Sequence, residues 1–287
     1  MLDYTLLRKG AYLPCEDEYI IVGDVHGCID ELRQLLLQNG FHINQDGLID
    51  PDSSSKSIIL LGDFVDKGSE KKIAQTIEFI YQNYYHLNRD KSRFYLIMGN
   101  HEDMIYRYIT NDPSLDIKSP KRQEEKRKYY NSADLLERDS ELKEKFLMLH
   151  RESFPWLKYL YDEHFSVTLT HAPCQEQYLA KDNADAYKKM IKSVSRSKNP
   201  NRTLDELIPY LHQEAKENQH YHVFGHLSQP NIRQYKNKIC IDTSAIYGNR
   251  LSCLLLKERA LDFDSTPFLN QQKSATQQYN LLFDFAY

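Results

Sequence analysis

The chain has 287 residues, a length that allows one large domain or two small ones. Hydrophobic residues make up 41% and charged residues 27%, with only ten glycines and ten prolines, which excludes collagen-like and wholly disordered proteins. Lysine plus arginine number 37 against 41 for aspartate plus glutamate, and the net charge of −4 gives no support for a nucleic-acid partner or an anionic membrane surface.

Targeting signals and cysteines constrain the environment of the protein. No stretch contains the roughly 20 consecutive apolar residues of a bilayer-spanning helix, and the first ten residues lack the basic and apolar segments of a secretion signal. We therefore expect a cytoplasmic monomer without a membrane partner, although an address read by a dedicated secretion system would leave no such mark. The five cysteines lack CxxC or CxxH spacing, which favours reduced thiols over disulfides or a zinc knuckle.

Three apolar runs near the start of the chain predict buried strands, each followed by a polar loop and then by apolar residues at helical spacing. These strands are predicted at residues 19–22, 57–62 and 94–98, with helices at about 29–37 and 71–85 after the first two. Buried strands alternating with helices predict a layered α/β fold. Because such sheets bind ligands at the carboxyl ends of their strands, the three polar loops should converge.

The second half of the chain begins with charged, helical sequence from about residue 110 to 161. This segment is either a helical cap beside the active site or a set of solvated helices with mixed charges. Further strands are predicted at 165–170, 221–224, 239–242 and 251–256, the first two ending at His171 and at Gly225-His226. The tail, at about 263–287, is polar until its last seven residues, and we expect it to be loosely held.

Five short motifs follow these strands in order: GDVHG (23–27), GDFVDKG (62–68), GNHE (99–102), THAP (170–173) and FGH (224–226). Their carboxylates, imidazoles and one amide form an oxygen and nitrogen ligand set without thiolate, which suits Mn, Fe or Zn. The set is too large for one ion that keeps an open position. Two divalent ions sharing a carboxylate fit it better, and that arrangement clamps the oxygens of an in-line displacement at phosphorus.

The motifs resemble those of the calcineurin-like metallophosphoesterases, specifically the phosphoprotein-phosphatase branch and its bacterial relatives, which include diadenosine tetraphosphatase-like enzymes. The resemblance covers about residues 19–257. It implies a single domain over 1–287 with an α/β fold, a four-layer α-β-β-α sandwich of two mixed sheets. The segment at about 110–161 would be a helical insertion.

The resemblance also implies roles for individual residues. Two divalent ions, Mn²⁺ before Fe or Zn, would be bound by six ligands: Asp24, His26, Asp63, Asn100, His171 and His226. Asp63 would bridge the two ions, and His101, oriented by Asp66, would protonate the leaving group. Because two cations lower the pKa of a bridging water, we expect direct attack by hydroxide without a phosphoenzyme.

Phosphate contacts are expected from Lys67, from Arg196 in SVSRS, and from Tyr247 in IDTSAIYGNRL (241–251). Lys67 departs from the arginine of most phosphoprotein phosphatases and cannot form the planar fork that arginine offers a phosphate. It resembles the diadenosine-tetraphosphatase-like branch, whereas Asp66 resembles the other branch. The two signals conflict.

The function expected from these residues is that of a metal-dependent phosphatase acting on phosphomonoesters, with phosphoserine, phosphothreonine or phosphotyrosine in proteins as the expected substrates. The alternative within enzymes is a phosphoanhydride hydrolase acting on dinucleoside polyphosphates, nucleotide caps or polyphosphate, and stacking aromatic residues beside the metals would favour it. The alternative of another class is a catalytically weak binding module with a phosphatase fold, tethered to partners through its charged helices.

Overall fold

The computed structural model describes residues 8–192 and 202–269, whose strands form two mixed sheets. In chain order the strands are β1 (Ala11–Leu13), β2 (Tyr19–Val22), β3 (Ser57–Leu60), β4 (Phe94–Leu96), β5 (Leu157–Leu160), β6 (Ser166–Leu169), β7 (His220–Phe224), β8 (Arg233–Tyr235), β9 (Lys238–Cys240), β10 (Arg250–Lys257) and β11 (Ala260–Pro267). One sheet has the order β1-β5-β6-β7-β9-β8 and the other the order β11-β10-β2-β3-β4.

The helices follow the strands on the outer faces of the two sheets. They are α1 (Ile29–Gln38), α2 (Glu70–Leu87), α3 (Asn100–Ile109), α4 (Pro120–Tyr129), α5 (Asn131–Arg138), α6 (Ser140–Glu152), α7 (Ala184–Ile191) and α8 (Arg202–Glu214). None of the described helices is both long enough and apolar enough to cross a membrane.

Each central strand is buried on both faces, which explains its continuous apolar sequence. In β2, Ile20 and Val22 pack into a core shared with the helices, whereas Tyr19 and Ile21 pack into a second core shared with the other sheet. On the outer side of the six-stranded sheet, α8 packs against Phe224 and Cys240 through Tyr210 and Leu211, and Met190 of α7 packs near Trp156, which precedes β5. The predicted α/β sandwich of four layers and two mixed sheets is confirmed.

Some predicted boundaries differ from the structure, and some strands were not predicted. The expected helical insertion at about 110–161 contains α4, α5 and α6, but residues 157–160 form β5 because Leu157 and Tyr159 point into the core between the sheets. β1 and β8 are edge strands of three residues each, too short for a recognisable pattern, and the sequence patterns did not predict them.

The tail predicted from residue 263 onward begins as part of a strand. Residues 260–267 form β11, which pairs with β10 in antiparallel register from Lys257↔Ala260 to Arg250↔Pro267. A two-residue turn, with Glu258 in the left-handed region, joins the two strands. Backbone pairing fixes this segment although its side chains are largely polar. The rest of the tail, residues 270–287, lies outside the described residues.

Candidate active site

The loops at the carboxyl ends of the strands hold several non-glycine residues in the left-handed region. They are His26 (φ 44°), Asp63 (φ 49°), Asp66 (φ 65°), Lys67 (φ 62°) and His226 (φ 66°). This conformation costs an L-residue about 1–2 kcal/mol because Cβ crowds the following carbonyl oxygen. Such residues persist only where neighbouring structure holds them, and they cluster at functional sites. Backbone geometry thus marks the same loops as the sequence motifs.

Glu102 holds the loop that follows β3. Its buried carboxylate accepts backbone N–H bonds from Asp63 (2.8 Å), Phe64 (2.9 Å), Val65 (3.3 Å) and Gly99 (3.1 Å). Burial and the nearby Asp63 carboxylate raise the pKa of Glu102 to about 8, against these N–H donors, which lower it. Glu102 was not among the predicted site residues. The signal that could have found it is its capping-box spacing, three residues after the glycine that precedes α3.

Two clusters of metal-ligand side chains lie at these loops, and Asp63 belongs to both. One contains His26, Asp63 and His101, the other Asp63, His171 and His226, and within each cluster the ligand atoms lie within 4.8 Å of one another. Asp63 Oδ2 is 3.5 Å from His26 Nε2 and 3.4 Å from His171 Nε2. The carboxylate therefore has the position of a ligand shared by two cations.

The imidazoles beside Asp63 are oriented as metal ligands. Nδ1 of His26 lies 2.7 Å from the carbonyl oxygen of Val65, and Nδ1 of His171 lies 2.7 Å from that of Leu61. Since a carbonyl oxygen only accepts, both Nδ1 atoms donate, and in the neutral ring the Nε2 lone pair faces Asp63. A lone pair this close to a carboxylate oxygen is repelled unless positive charge lies nearby, and at His26 the Lys67 ammonium group, 2.8 Å from Nε2, supplies part of that charge. The donor set therefore fits divalent cations.

The charges of the site lead to the same conclusion. Burial, reinforced by Asp242, raises the pKa of Asp24 well above its usual range, and burial raises that of Asp242 against the Lys67 ammonium group. Burial opposes a charge on His171, but the carboxylates of Asp63 and Asp24 outweigh it and raise the His171 pKa to about 10. Raised pKa values mean that these groups bind protons readily, because negative charge is concentrated among the carboxylates. Divalent cations bound at the site would neutralise the same charge. Asp242 was not among the predicted site residues.

Asp24 contacts the backbone of the loop that carries His226. Its two carboxylate oxygens accept the His226 N–H at 3.1 Å, and a Cβ at position 225 would come within 2.0 Å of Asp24 Oδ1, which requires Gly225. Among the described residues, neither ligand cluster includes Asp24. Asn100 lies beside the second cluster, with its Oδ1 3.0 Å from His171 Nε2. The structure thus brings together all six predicted ligands within these loops, with Asp24 at the margin.

His101 and Asp66 form a buried pair at the edge of the first cluster. His101 Nδ1 lies 2.6 Å from Asp66 Oδ2, and His101 Nε2 lies 3.9 Å from Asp63 Oδ2. A carboxylate at Nδ1 holds the ring in one orientation, so Nε2 faces the site in the position of a proton donor. This is the geometry predicted for the two residues.

A cavity of about 660 Å³ opens above the clusters. Its floor consists of strand-end residues, Asn100, His101 and His226, and its wall is α4 with the residues that flank it. Five cationic side chains line it, against two acidic ones: Lys67, Lys121, Arg122, Lys128 and Lys192, with Glu124 and Glu125. The aromatic rings of Tyr129 and Tyr130 line the same cavity. The insertion is therefore a wall of the site, which was one of the two roles left open by its sequence.

The three expected phosphate contacts have different outcomes. Lys67 lies on the cavity, with Nζ 2.8 Å from His26 Nε2 and 5.6 Å from the centre of the Tyr247 ring. Tyr247 is 56% exposed, so its ring is accessible beside that lysine. Arg196 lies outside the described residues.

Curated bacterial proteins are similar to this chain over most of its length. A bis(5'-nucleosyl)-tetraphosphatase PrpE [asymmetrical] of Oceanobacillus iheyensis is 28% identical over 245 residues, covering 83% of this chain and 88% of that protein. A protein of the same name from Bacillus cereus strain Q1 is 26% identical over 248 residues, covering 84% and 91%.

Two solved structures share the fold. One, provisionally assigned as a diadenosine tetraphosphatase, has a TM-score of 0.57 at 18% identity and covers 91% of this chain and 99% of its own. The other is a protein serine/threonine phosphatase from Saccharomyces cerevisiae, with a TM-score of 0.52 at 12% identity, covering 92% and 86%. The model of the calcineurin-like phosphoesterase family matches residues 19–230, which include the loops of both ligand clusters. The chain therefore belongs to the calcineurin-like phosphoesterase family.

Proposed function

We propose that this protein hydrolyses the phosphoanhydride bonds of dinucleoside polyphosphates. The observation that carries the proposal is the cationic and aromatic wall of the cavity above the shared carboxylate Asp63. A polyphosphate chain extends negative charge beyond the phosphorus that is attacked, and cationic side chains along the cavity match that extension. The names of the curated relatives support the same alternative over the phosphoprotein phosphatase that the sequence favoured.

In this proposal the six ligands bind two divalent cations, with Mn²⁺ as the first candidate for an oxygen and nitrogen donor set. When bound, the cations neutralise phosphoryl oxygens and make hydroxide available at neutral pH. The residues of the chain itself do the rest. Lys67 and the cations of the wall hold the non-reacting phosphates, and Tyr129 and Tyr247 offer exposed rings on which bases stack. Water adds to phosphorus, the P–O–P bond breaks, and a nucleotide leaves.

Hydrolysis of phosphomonoesters is the second candidate, and the Asp66–His101 pair favours it. A phosphate leaving group, with a pKa of about 6, departs without much help from an acid. An alkoxide or phenolate leaving group gains more from a proton, and the 2.6 Å contact between His101 and Asp66 holds a donor ready for it. An active site that hydrolyses both classes would accept a broad range of substrates. Replacement of His101 would then lower the activity on phosphomonoesters more than the activity on phosphoanhydrides.

The test compares the two classes on purified protein loaded with Mn²⁺. Diadenosine tetraphosphate and phosphopeptides carrying phosphoserine, phosphothreonine or phosphotyrosine are supplied separately, and Asp63→Asn is the blank. We expect nucleotide release from diadenosine tetraphosphate with a kcat/KM at least about ten-fold above that for any phosphopeptide, a difference of about 1.4 kcal/mol. Peptide turnover with an inert dinucleotide would overturn the proposal, and inactivity towards both would revive the binding-module hypothesis.

A further inference from the structure

The first turn of α5 contacts the loop that carries Asp66, the residue that contacts the proposed proton donor His101. Ser132 is buried, and its hydroxyl oxygen accepts the Asp66 N–H at 2.8 Å. The Ser132 N–H in turn donates to Asp66 Oδ1 at 2.8 Å. One residue of the helical insertion thus holds both the backbone and the carboxylate of Asp66.

The neighbouring residue completes the contact. Asn131 Oδ1 accepts the Lys67 N–H at 3.0 Å, and Asn131 Nδ2 donates to the Gly68 carbonyl at 3.1 Å. Asp66 and Lys67 both lie in the left-handed region, with φ of 65° and 62°. A strained turn of this kind keeps its geometry only where surrounding groups determine it, and here those groups come from α5.

The helix that supplies these groups is itself firmly placed. Ala133 and Leu136 of α5 are fully buried in the core between the helices and the five-stranded sheet. Lys126 of α4, which is largely buried, lies 2.8 Å from Asp134 and 2.7 Å from Glu137 of α5. The first turn of α5 therefore has a fixed position relative to the core. Its hydrogen bonds to Asp66 fix the position of Asp66 as well.

We propose that Ser132 is a positioning residue for the leaving-group proton donor. Its hydroxyl and N–H hold Asp66, and Asp66 Oδ2, 2.6 Å from His101 Nδ1, fixes the direction in which His101 Nε2 faces the cavity. The inference rests on the proposed role of His101. A small misplacement of a reacting group is enough to slow a reaction strongly, so loss of the serine hydroxyl acts through the angle of the imidazole.

The experiment uses aryl phosphates whose leaving groups differ in their need for a proton. Ser132→Ala is compared with the wild type on phenyl phosphate and on 2,4-dinitrophenyl phosphate in the Mn²⁺-loaded protein. We expect kcat for phenyl phosphate to fall about ten-fold and kcat for 2,4-dinitrophenyl phosphate to fall less than about two-fold, with KM unchanged. Ser132→Thr keeps a hydroxyl and should recover most of the loss.

Two controls separate positioning from a general structural defect. Ser153→Ala removes a buried serine hydroxyl that donates to the Leu149 carbonyl at 2.9 Å in α6, away from the site. It should leave both substrates unaffected. In the diamagnetic Zn²⁺-loaded protein, the proton on His101 Nδ1 gives a second readout by NMR, since a short bond to a carboxylate shifts its resonance downfield. In Ser132→Ala that resonance should move or broaden even where turnover is not measured.

The outcomes distinguish this proposal from the function on which it rests. His101→Ala could lose more kcat with phenyl phosphate than with 2,4-dinitrophenyl phosphate while Ser132→Ala keeps its kcat with both. That result would overturn the role of Ser132 alone. Equal losses for both aryl phosphates in Ser132→Ala would make it a merely structural residue and would also overturn the proposal. Equal losses of kcat for the two aryl phosphates in His101→Ala would refute His101 as the donor. Inertness towards diadenosine tetraphosphate with normal aryl phosphate turnover would refute only the proposed substrate.

Discussion

The floor of the cavity and its α4 wall are built in opposite ways. The floor residues Asn100 and His101 are about nine-tenths buried, and its loops are fixed by hydrogen bonds such as those to Glu102. The wall carries charges towards solvent, and among the α4 side chains only Lys126 is buried. A rigid, buried floor suits the reaction, because reacting groups need fixed positions. A charged, accessible wall suits the choice of substrate. This difference supports the proposal that the floor carries out the reaction and the wall selects the substrate.

The largest effect is expected at the residue shared by the two clusters. Asp63→Asn should lower kcat about 10³-fold or more, because an amide lacks the charge that a shared ligand of two cations supplies. Metal content by mass spectrometry should fall with it. Gln234→Glu, a substitution at an exposed residue of β8 with the opposite charge change, serves as a control and should retain both metals. Full metal content and activity in Asp63→Asn would contradict the assignment of the floor.

The next effect belongs to the proton donor at the edge of the floor. His101→Ala should lower kcat for phenyl phosphate about 10²-fold, the usual contribution of a general acid, with a smaller loss for diadenosine tetraphosphate. The two substrates are compared under the same Mn²⁺ concentration. An equal loss for both would indicate that His101 acts as a metal ligand, as its place in the first cluster allows.

The wall should affect substrate binding more than turnover. Tyr129→Ala should raise KM for diadenosine tetraphosphate about five- to ten-fold, because a base stacked on a tyrosine contributes about 1–3 kcal/mol. Inorganic tripolyphosphate, which has no base, should be hydrolysed as before. Tyr12→Ala, at an exposed tyrosine of the edge strand β1, is the matched control. Equal KM changes for the two substrates would remove the base from the interaction.

The last effect concerns stability outside the cavity and leaves activity unchanged. His150 of α6 is buried and stacked on Tyr106 with ring centroids 4.1 Å apart, and its Nε2 has no hydrogen-bond partner among the described residues. Burial lowers its pKa to about 3. Below about pH 6.5 the unfolded chain binds a proton that the folded protein excludes, so stability falls as the pH is lowered towards 3.

His150→Phe should weaken this pH dependence. Between pH 6.5 and 5 the wild type should lose about 2 kcal/mol more unfolding free energy than the variant, measured by urea denaturation. At pH 7.5 the two proteins should have the same dependence on pH. Parallel stability curves across the acid range would show that His150 does not contribute.

The sequence predicted the floor well because its signals are local. The apolar runs of β2 and β3 are buried on both faces, and each is followed directly by a motif whose polar side chains reach the site. The left-handed backbone of Asp63 and His226 was not predictable, since only their neighbours across the fold hold it. Strand β11 was not predicted because its side chains are largely polar. Its conformation is fixed by backbone pairing with β10, which leaves no pattern in the sequence.

The wall and its support were much less predictable. The charges of residues 120–129 fit a solvated helix as well as a cavity wall, and only the packing of α4 beside the floor decides between them. Ser132 acts across 66 residues of sequence on Asp66, a contact that no spacing rule encodes. Asp242 lies in the segment 241–251, in which the resemblance to bacterial family members implied a role for Tyr247 only. Such contacts arise from tertiary packing.

The division of labour between floor and wall can be tested by reversing the charge of the wall. A triple variant, Lys121→Glu, Arg122→Glu and Lys128→Glu, is assayed for kcat/KM on diadenosine tetraphosphate and on phenyl phosphate, with Arg127→Glu, an exposed residue of α4 outside the cavity lining, as control. We expect kcat/KM for the dinucleotide to fall at least about ten-fold, while that for phenyl phosphate stays within about two-fold. Equal losses for both substrates, or no loss for either, would contradict the account.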